Sequence, residues 1–187
     1  MSSNYKYVLL NKPYGVLSQF TSEEEHRNLS EFNLPPDIYA AGRLDKDSEG
    51  LLLLTNDGPF IKKFLDSHPR TYWVQVERVP TDDDLQVLRN GVKIKGGDTS
   101  PCLVKLIQSP NITERNPPVR FRKNVPTSWL EITLTEGKNR QVRRMTAKIG
   151  FPTLRLIRVG LGKIKLDDLD LLPGTWIEIE KSQITCS

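Results

Sequence analysis

A short polar loop carries the residues best suited to chemistry in this chain. It runs from Gly42 to Gly50 and places Asp45, Asp47 and Glu49 between two apolar segments. A carboxylate at the rim of a core is partly removed from water, so its pKa can be tuned for nucleophilic or acid–base work. Asp45 could instead only cap a turn, and the pattern alone favours that structural role.

A metal site is a second possibility for this region. Mg²⁺ needs carboxylates that converge on one point, and four acidic residues are candidates: Asp45, Asp47, Glu49 and Asp57. Lys46 interrupts this set. The chain has two histidines and two cysteines, Cys102 and Cys186, which is too few for a disulfide framework or a Cys/His zinc site. We therefore do not expect a metal site.

Basic residues are concentrated in two stretches, although the net charge is only +4. From Gly137 to Arg158 the chain has seven basic residues and no acidic one: Lys138, Arg140, Arg143, Arg144, Lys148, Arg155 and Arg158. A second group lies just upstream, among prolines: Arg115, Arg120, Arg122 and Lys123. A charge run alone is usually a solvated face. Two such segments on either side of one predicted strand favour a polyanion, and nucleic acid in particular.

Hydrophobic periodicity and turn signals predict the elements that position these residues. Strands are predicted at 7–10, 50–55, 71–79, 102–107, 129–135, 153–159 and 176–180, and helices at 59–67, 81–89 and 139–149. Residues 108–126 contain four prolines and are predicted to form a surface loop. The helices do not alternate strictly with the strands. The predicted fold class is therefore α+β, with a mixed, mainly antiparallel sheet and short flanking helices.

The predicted helix 139–149 separates its arginines by face. At 100° per residue, three apolar residues form one stripe: Val142, Met145 and Ile149. Arg140 and Arg144 would lie on the opposite face, suited to phosphates or to solvent. Arg143 would lie at the flank of the stripe, where its side chain could reach a partly buried partner.

Length and hydropathy narrow the protein class further. A chain of 187 residues suggests about one domain. The longest uninterrupted apolar run, Leu51 to Leu54, is far too short to span a membrane. The first six residues form a short polar segment, which does not predict a leader peptide. The expected compartment is the cytoplasm, with no membrane partner.

Four segments, in the same order, resemble the motifs of RNA pseudouridine synthases of the RsuA/RluB/RluE/RluF group. They are residues 11–16, residues 42–58 with Asp45, residues 70–76 with Tyr72, and residues 136–145 with Arg143. Residues 116–120, 126–130 and 150–158 further resemble a member of the group that modifies 23S rRNA. The resemblance implies a catalytic domain at residues 6–181 with an active-site cleft across the sheet, short tails at 1–5 and 182–187, and no S4 domain.

The resemblance also implies an activity. The enzyme would flip a uridine out of RNA, break its N-glycosidic bond, rotate the uracil and rejoin it through carbon, without metal or cofactor. Asp45 would initiate cleavage as nucleophile or base, Tyr72 would stack on the extruded uracil, and Arg143 would pair with Asp45. Lys12 and Pro13 would form a turn that backs the catalytic loop.

Contacts to RNA are expected from basic side chains. The predicted contacts are Arg43, Lys138, Arg140, Arg144, Arg120, Arg122, Lys123 and Arg155. The expected partner is 23S rRNA or a large-subunit ribosomal precursor, bound by a monomer. Two other functions remain open: a non-catalytic RNA-binding or ribosome-assembly factor on the same fold, and a metal-dependent nuclease that uses the loop carboxylates. The set Asp45, Tyr72 and Arg143 argues against a pure binding protein, and the lack of further positioned acids argues against the nuclease.

Overall fold

The computed structural model describes residues 5–22, 25–120 and 122–185, so Cys186 lies outside the described residues. The described chain forms these elements, in order: β1 Tyr7–Lys12, β2 Tyr39–Ala40, β3 Glu49–Thr55, α1 Gly58–Ser67, β4 Arg70–Glu77, α2 Asp82–Arg89, β5 Lys93–Ile94, β6 Gly97–Asp98, β7 Leu103–Ile107, β8 Thr127–Leu134, α3 Gln141–Lys148, β9 Thr153–Leu161, β10 Ile164–Lys165, β11 Trp176–Glu178 and α4 Lys181–Ile184.

The chain divides into two compact units. Unit one consists of Met1–His68 and Arg158–Ser187, and unit two consists of Pro69–Ile157. Unit one is therefore discontinuous in sequence, with unit two inserted between its two segments. Strand β9 crosses the boundary, because its first residues belong to unit two and its last residues to unit one.

Unit one is built on two strands that are buried along their whole length, β1 and β3. They pair antiparallel, and β1 also pairs antiparallel with β11, with Leu9 opposite both Leu53 and Ile177. A strand with both faces buried has apolar residues at consecutive positions instead of alternating ones, which explains the run Leu51 to Leu54. The core of this unit includes Leu9, Leu53, Phe60, Phe64 and Ile184.

Unit two carries antiparallel strands in the order β4–β8–β7, with helices α2 and α3. Thr81 caps α2: its hydroxyl accepts from the backbone N–H of Asp84, and the Asp84 carboxylate accepts from the backbone N–H of Thr81. The core of this unit includes Val74, Leu130 and Met145. Residues 108–126, apart from Phe121, form no helix or strand, as the prolines predict.

The predicted fold class is confirmed, since the structure has mainly antiparallel strands and a few short helices. One predicted boundary is wrong. Residues 182–187 were expected to form a tail, but Lys181–Ile184 is a helix, and Ile184 is fully buried in the core of unit one. Among the described residues there is no helix long and apolar enough to cross a membrane.

Candidate active site

The loop before β3 is the candidate catalytic segment of unit one. Its entry is fixed at Gly42, which has φ +77° and lies so close to Leu65 that an added Cβ would come within 2.5 Å of the Leu65 Cδ2. The loop then presents Asp45, which is half-buried and whose carbonyl oxygen accepts a hydrogen bond from the backbone N–H of Ser48 at 3.0 Å. The predicted arrangement, a carboxylate in a polar loop at the rim of a core, is what the structure shows.

The turn after β1 is hydrogen-bonded to this loop. The backbone N–H of Gly15 donates to the carbonyl of Lys46 at 2.8 Å. The Ser18 hydroxyl donates to the carbonyl of Leu44 at 2.8 Å and accepts from the Leu44 backbone N–H at 3.1 Å. Both residues adjacent to Asp45 are therefore attached to the turn, which restricts the position of the carboxylate between them.

Lys12 is the charged residue that the turn encloses. Its side chain is fully buried, and its Nζ donates to the carbonyls of Pro13 at 3.0 Å and Val16 at 2.8 Å. Burial lowers the pKa of Lys12 from 10.5 to about 7, although the negative charge of Glu49 opposes this shift. The charge of Asp45 also acts on Lys12 in the raising direction, so the two groups share one electrostatic environment. The predicted role of Lys12 in backing the loop agrees with these contacts.

Gly50 allows β3 to approach β9 closely where the loop ends. It has φ +101°, and an added Cβ would lie 2.3 Å from the carbonyl oxygen of Arg158. The Arg158 side chain is buried, and its Nε donates to the carbonyl of Leu51 at 2.7 Å. Arg158 belongs to the basic stretch in the sequence, but the structure places it inside unit one, next to the strand that follows the loop.

The acids of this region form no metal cluster. Asp57 caps α1 by accepting from the backbone N–H of Phe60 at 3.1 Å, and it also accepts from the Tyr7 hydroxyl at 2.6 Å and the Lys181 Nζ at 2.8 Å. Burial raises the pKa of Asp57, but these hydrogen bonds outweigh it and leave the pKa below the ordinary value. Within the described ranges, no three His, Cys, Asp or Glu side chains are grouped so that they could hold a metal ion.

Tyr72 lies on β4 of unit two, directly opposite Ile132 of β8. Side chains two apart on a strand share a face, so Tyr72 lies on the same face as Val74 and Val76, which are fully buried. Tyr72 itself is only half-buried and packs against that core from its edge. The position is compatible with a partly exposed aromatic ring, which an ordinary core tyrosine would not provide.

Helix α3 carries Arg143, with Val142 and Met145 buried as the helical spacing predicts. Arg143 is half-buried and its Nε is inaccessible to solvent, which agrees with its predicted position at the flank of the apolar stripe. Its predicted pairing with Asp45 stays a prediction.

The predicted position of Arg140 is wrong. The helix was expected to begin at residue 139, but α3 begins at Gln141, and Arg140 precedes it with φ +50°, in the left-handed region. Arg140 is exposed, but it does not lie on the helix face opposite the stripe. Arg144 does lie in the helix, where its guanidinium donates to the carbonyl of Lys95 at 2.8 Å and to Asn139 Oδ1 at 2.7 Å.

A polar network at the start of α3 was not foreseen. The carboxylate of Glu136 accepts from the backbone N–H of Ser100 at 2.8 Å and from Gln141 Nε2 at 2.6 Å, and it forms an ion pair with Lys138. Burial raises the pKa of Glu136, but these donors outweigh it and leave the pKa lowered. Gln141 is 4 % exposed. A buried glutamine gives no sequence signal, because its burial depends on Glu136 being nearby.

The remaining predicted RNA contacts differ in exposure. Arg43, Arg120, Arg122 and Lys123 are exposed, and Arg122 is within 2.9 Å of Glu77. Arg155 is a correction to the prediction. It is only 8 % exposed, and its Nη2 donates to the carbonyl of Thr113 at 2.9 Å, so it fastens the 108–126 loop to β9 instead of facing a phosphate.

Comparisons with known proteins agree on one family. Residues 6–148 match the sequence profile described as RNA pseudouridylate synthase. A relative from Vibrio parahaemolyticus, named ribosomal large subunit pseudouridine synthase E, is 55 % identical over 180 residues, which cover 95 % of this chain and 75 % of that protein. A protein of the same name from Xanthomonas axonopodis is 57 % identical over 168 residues, covering 87 % and 88 % of the two chains.

More distant relatives and solved structures extend the similarity. Ribosomal large subunit pseudouridine synthase B from Bacillus subtilis is 38 % identical over 159 residues, covering 81 % of this chain and 59 % of that protein. A crystal structure of a pseudouridylate synthase has the same fold, with a TM-score of 0.76 at 24 % identity, covering 97 % of this chain and 73 % of the other.

Proposed function

The chain belongs to the RNA pseudouridylate synthase family, and from this premise we propose that it converts a specific uridine of 23S rRNA to pseudouridine. The enzyme class follows from the family. The choice of large-subunit RNA is supported by relatives that are more than half identical and are named as large-subunit enzymes. The reaction is an isomerisation: the N1–C1′ bond of the nucleotide breaks, a C5–C1′ bond forms, and the proton from C5 is exchanged for one on N1.

Asp45 carries the proposal. The backbone of both of its neighbours is hydrogen-bonded to the turn after β1, through the Ser18 hydroxyl at Leu44 and the Gly15 N–H at Lys46, and the Asp45 side chain is half-buried. A positioned carboxylate of this kind can act as nucleophile or general base when a base is extruded beside it. We propose Tyr72 and Arg143 as the further catalytic residues, supported by the half-exposed ring at the edge of the core and by the half-buried guanidinium on α3.

The substrate form, oligomeric state and compartment complete the proposal. We propose that the enzyme acts as a monomer on 23S rRNA or on a large-subunit precursor. Since the relatives are bacterial, this takes place in the cytoplasm. We further propose a catalytic domain that begins at residue 6, as the sequence predicts, and extends past residue 181 to include α4. Measuring the molecular mass in solution tests the oligomeric state. Comparing turnover on naked transcript with turnover on isolated precursor particles tests the form of the substrate.

The decisive experiment maps pseudouridine in a 23S rRNA transcript after incubation with the wild-type protein and with Asp45→Asn. One new pseudouridine is expected with the wild type and none with the variant. The variant should bind the transcript within about threefold of the wild type, since Asp45 repels RNA phosphates and contributes no attraction to them. Full turnover by Asp45→Asn would remove Asp45 from the mechanism. A wild type that binds RNA but forms no pseudouridine would instead favour the non-catalytic RNA-binding factor.

A further inference from the structure

Unit two contains a cavity of about 450 Å³ beside the 108–126 loop. Its basic side is formed by Arg120, Arg122 and Lys123, and its apolar side by Val119, Val125 and Leu154. A cavity of this size is within the range of small-molecule pockets. None of these six residues belongs to the proposed catalytic set, so the cavity needs a different explanation.

The cavity is preformed, because hydrogen bonds fix the loop that forms its wall. Arg115 donates from Nε to the carbonyl of Pro117 at 2.8 Å and from Nη2 to the carbonyl of Pro118 at 3.0 Å. The buried Arg155 attaches Thr113 of the same loop to β9. A ligand entering a cavity with fixed walls does not have to order the loop first, which favours affinity.

The charges of the cavity suit an anion at its mouth. Glu77 is the acidic residue in the lining, and its carboxylate lies 2.9 Å from the Arg122 guanidinium. Within the described part of the chain, no acidic side chain pairs with Arg120 or Lys123, and both are exposed. These two cations can approach a phosphate directly, while Arg122 is already neutralised by Glu77.

The interior suits a nucleobase better than a run of phosphates. Besides the cations, the lining has apolar side chains that offer a surface for the face of a base, and the amides of Gln75 and Asn124 offer donors and acceptors for its edge. A paired RNA helix exposes its phosphates and keeps its bases stacked, so it would use the cations and leave the cavity empty. An unpaired nucleotide would fill both parts.

We propose that this pocket binds one unpaired nucleotide of the substrate RNA, separate from the uridine that is modified. Its base lies against Val119, Val125 and Leu154, and its phosphate contacts Arg120 and Lys123. The proposal rests on the proposed function for the class of ligand. It adds a contact that selects an RNA with an unpaired nucleotide besides the target uridine.

The test compares two ways of disabling the pocket. Val119→Trp fills the cavity without removing charge, and Lys123→Gln removes one phosphate contact. Lys148→Gln is the matched control, since Lys148 is an exposed lysine of unit two that does not line the cavity. Dissociation constants are measured by filter binding for a 23S rRNA transcript and for a fully paired RNA duplex, at several salt concentrations.

We expect Val119→Trp to raise the Kd for the transcript about tenfold, the loss of one ordinary buried contact, with the salt slope and the duplex affinity unchanged. Lys123→Gln should weaken binding and flatten the slope of log K against log salt by about 0.7. Lys148→Gln should leave the affinity for the transcript near that of the wild type. Thermal melting verifies that each variant is folded. Asn124→Trp, at an exposed position of the lining, replaces Val119→Trp if that variant does not fold.

Two outcomes would overturn the proposal that this pocket binds an unpaired nucleotide. In one, the folded tryptophan variant binds the transcript as well as the wild type does. In the other, it weakens transcript and duplex equally, which means that the cavity does not distinguish an unpaired nucleotide from paired RNA. Failure of the proposed function looks different: the wild type would form no pseudouridine in the transcript, whatever the pocket variants do to its Kd.

Discussion

The buried Lys12 should make the stability of the protein depend on pH near neutrality. The pKa of Lys12 is 10.5 in the unfolded chain and about 7 in the folded protein, because burial disfavours its charged form. Between these two values the unfolded chain binds more protons than the folded one. The free energy of unfolding therefore rises with pH in this window, as expected for a cationic group whose folded pKa is depressed.

The size of the effect follows from the two pKa values. At pH 7 the protonation of Lys12 favours the unfolded chain by about 4 kcal/mol, and at pH 9 by about 2 kcal/mol. The protein should therefore gain about 2 kcal/mol of stability from pH 7 to pH 9. Above pH 9 the Cys102 thiol acts in the opposite direction, because burial raises its pKa to about 11. The window from pH 7 to pH 9 is therefore the one to measure.

The assay is urea unfolding of the wild type and of Lys12→Met at pH 7, 8 and 9. Methionine keeps a flexible chain of similar length and cannot titrate, so the difference between the two proteins isolates the contribution of Lys12. The wild type should gain stability relative to the variant as the pH rises. If the free energies of unfolding of the two proteins change with pH in parallel, or if the wild type loses stability relative to the variant, the argument that burial depresses the pKa of Lys12 is refuted. NMR titration of the Lys12 ammonium gives the same pKa without a variant.

Three further substitutions test individual parts of the site. Gly50→Ala should destabilise the protein by about 3 kcal/mol or more, since a Cβ would meet the Arg158 carbonyl and φ is positive; thermal melting that matches the wild type would contradict this. Tyr72→Phe should bind an RNA with an extruded base analogue as the wild type does, while Tyr72→Ala should lose about 1–3 kcal/mol of stacking; equal binding by both variants would leave Tyr72 a core residue. Arg143→Lys should lower the single-turnover rate strongly and leave the salt slope unchanged, since an ammonium lacks the planar fork of a guanidinium. Arg144→Gln is its control, and should keep the rate. If Arg143→Lys loses only affinity for RNA and keeps its single-turnover rate, Arg143 is a phosphate contact instead.

The elements with strong local signals were predictable from the sequence. The leucine run of β3 and the cap of α2 at Thr81 are examples, because burial on both faces and a capping box leave their trace within a few residues. Strands of two residues, such as β5 and β6, are too short to show any periodicity. The start of α3 was misplaced by two residues, because the left-handed conformation of Arg140 has no signature in an arginine.

The residues of the candidate site also differ in whether they leave a local signal in the sequence. The loop with Asp45 could be found, because its polar residues interrupt two apolar segments. The complete burial of Lys12 and Arg158 could not be predicted, since charged residues in a sequence normally indicate surface. Lys12 is buried because the turn that follows it supplies its hydrogen bonds, as at the Val16 carbonyl. Arg158 is buried because the Leu51 carbonyl, from a segment distant in sequence, accepts from its Nε. Arg155 was misassigned for the same reason.

The discontinuity of unit one affects how the protein is made on the ribosome. Strand β1 emerges first, but its partner β11 follows only after unit two has been translated, since Leu9 pairs with Ile177. At about 5–20 residues per second this delay is on the order of ten seconds. During that time one edge of a strand that carries the apolar run Val8–Leu10 has no partner, which is a risk for aggregation. The sequence of unit two is complete at Ile157, before β11 is translated. A nascent chain is therefore expected to close its first unit last.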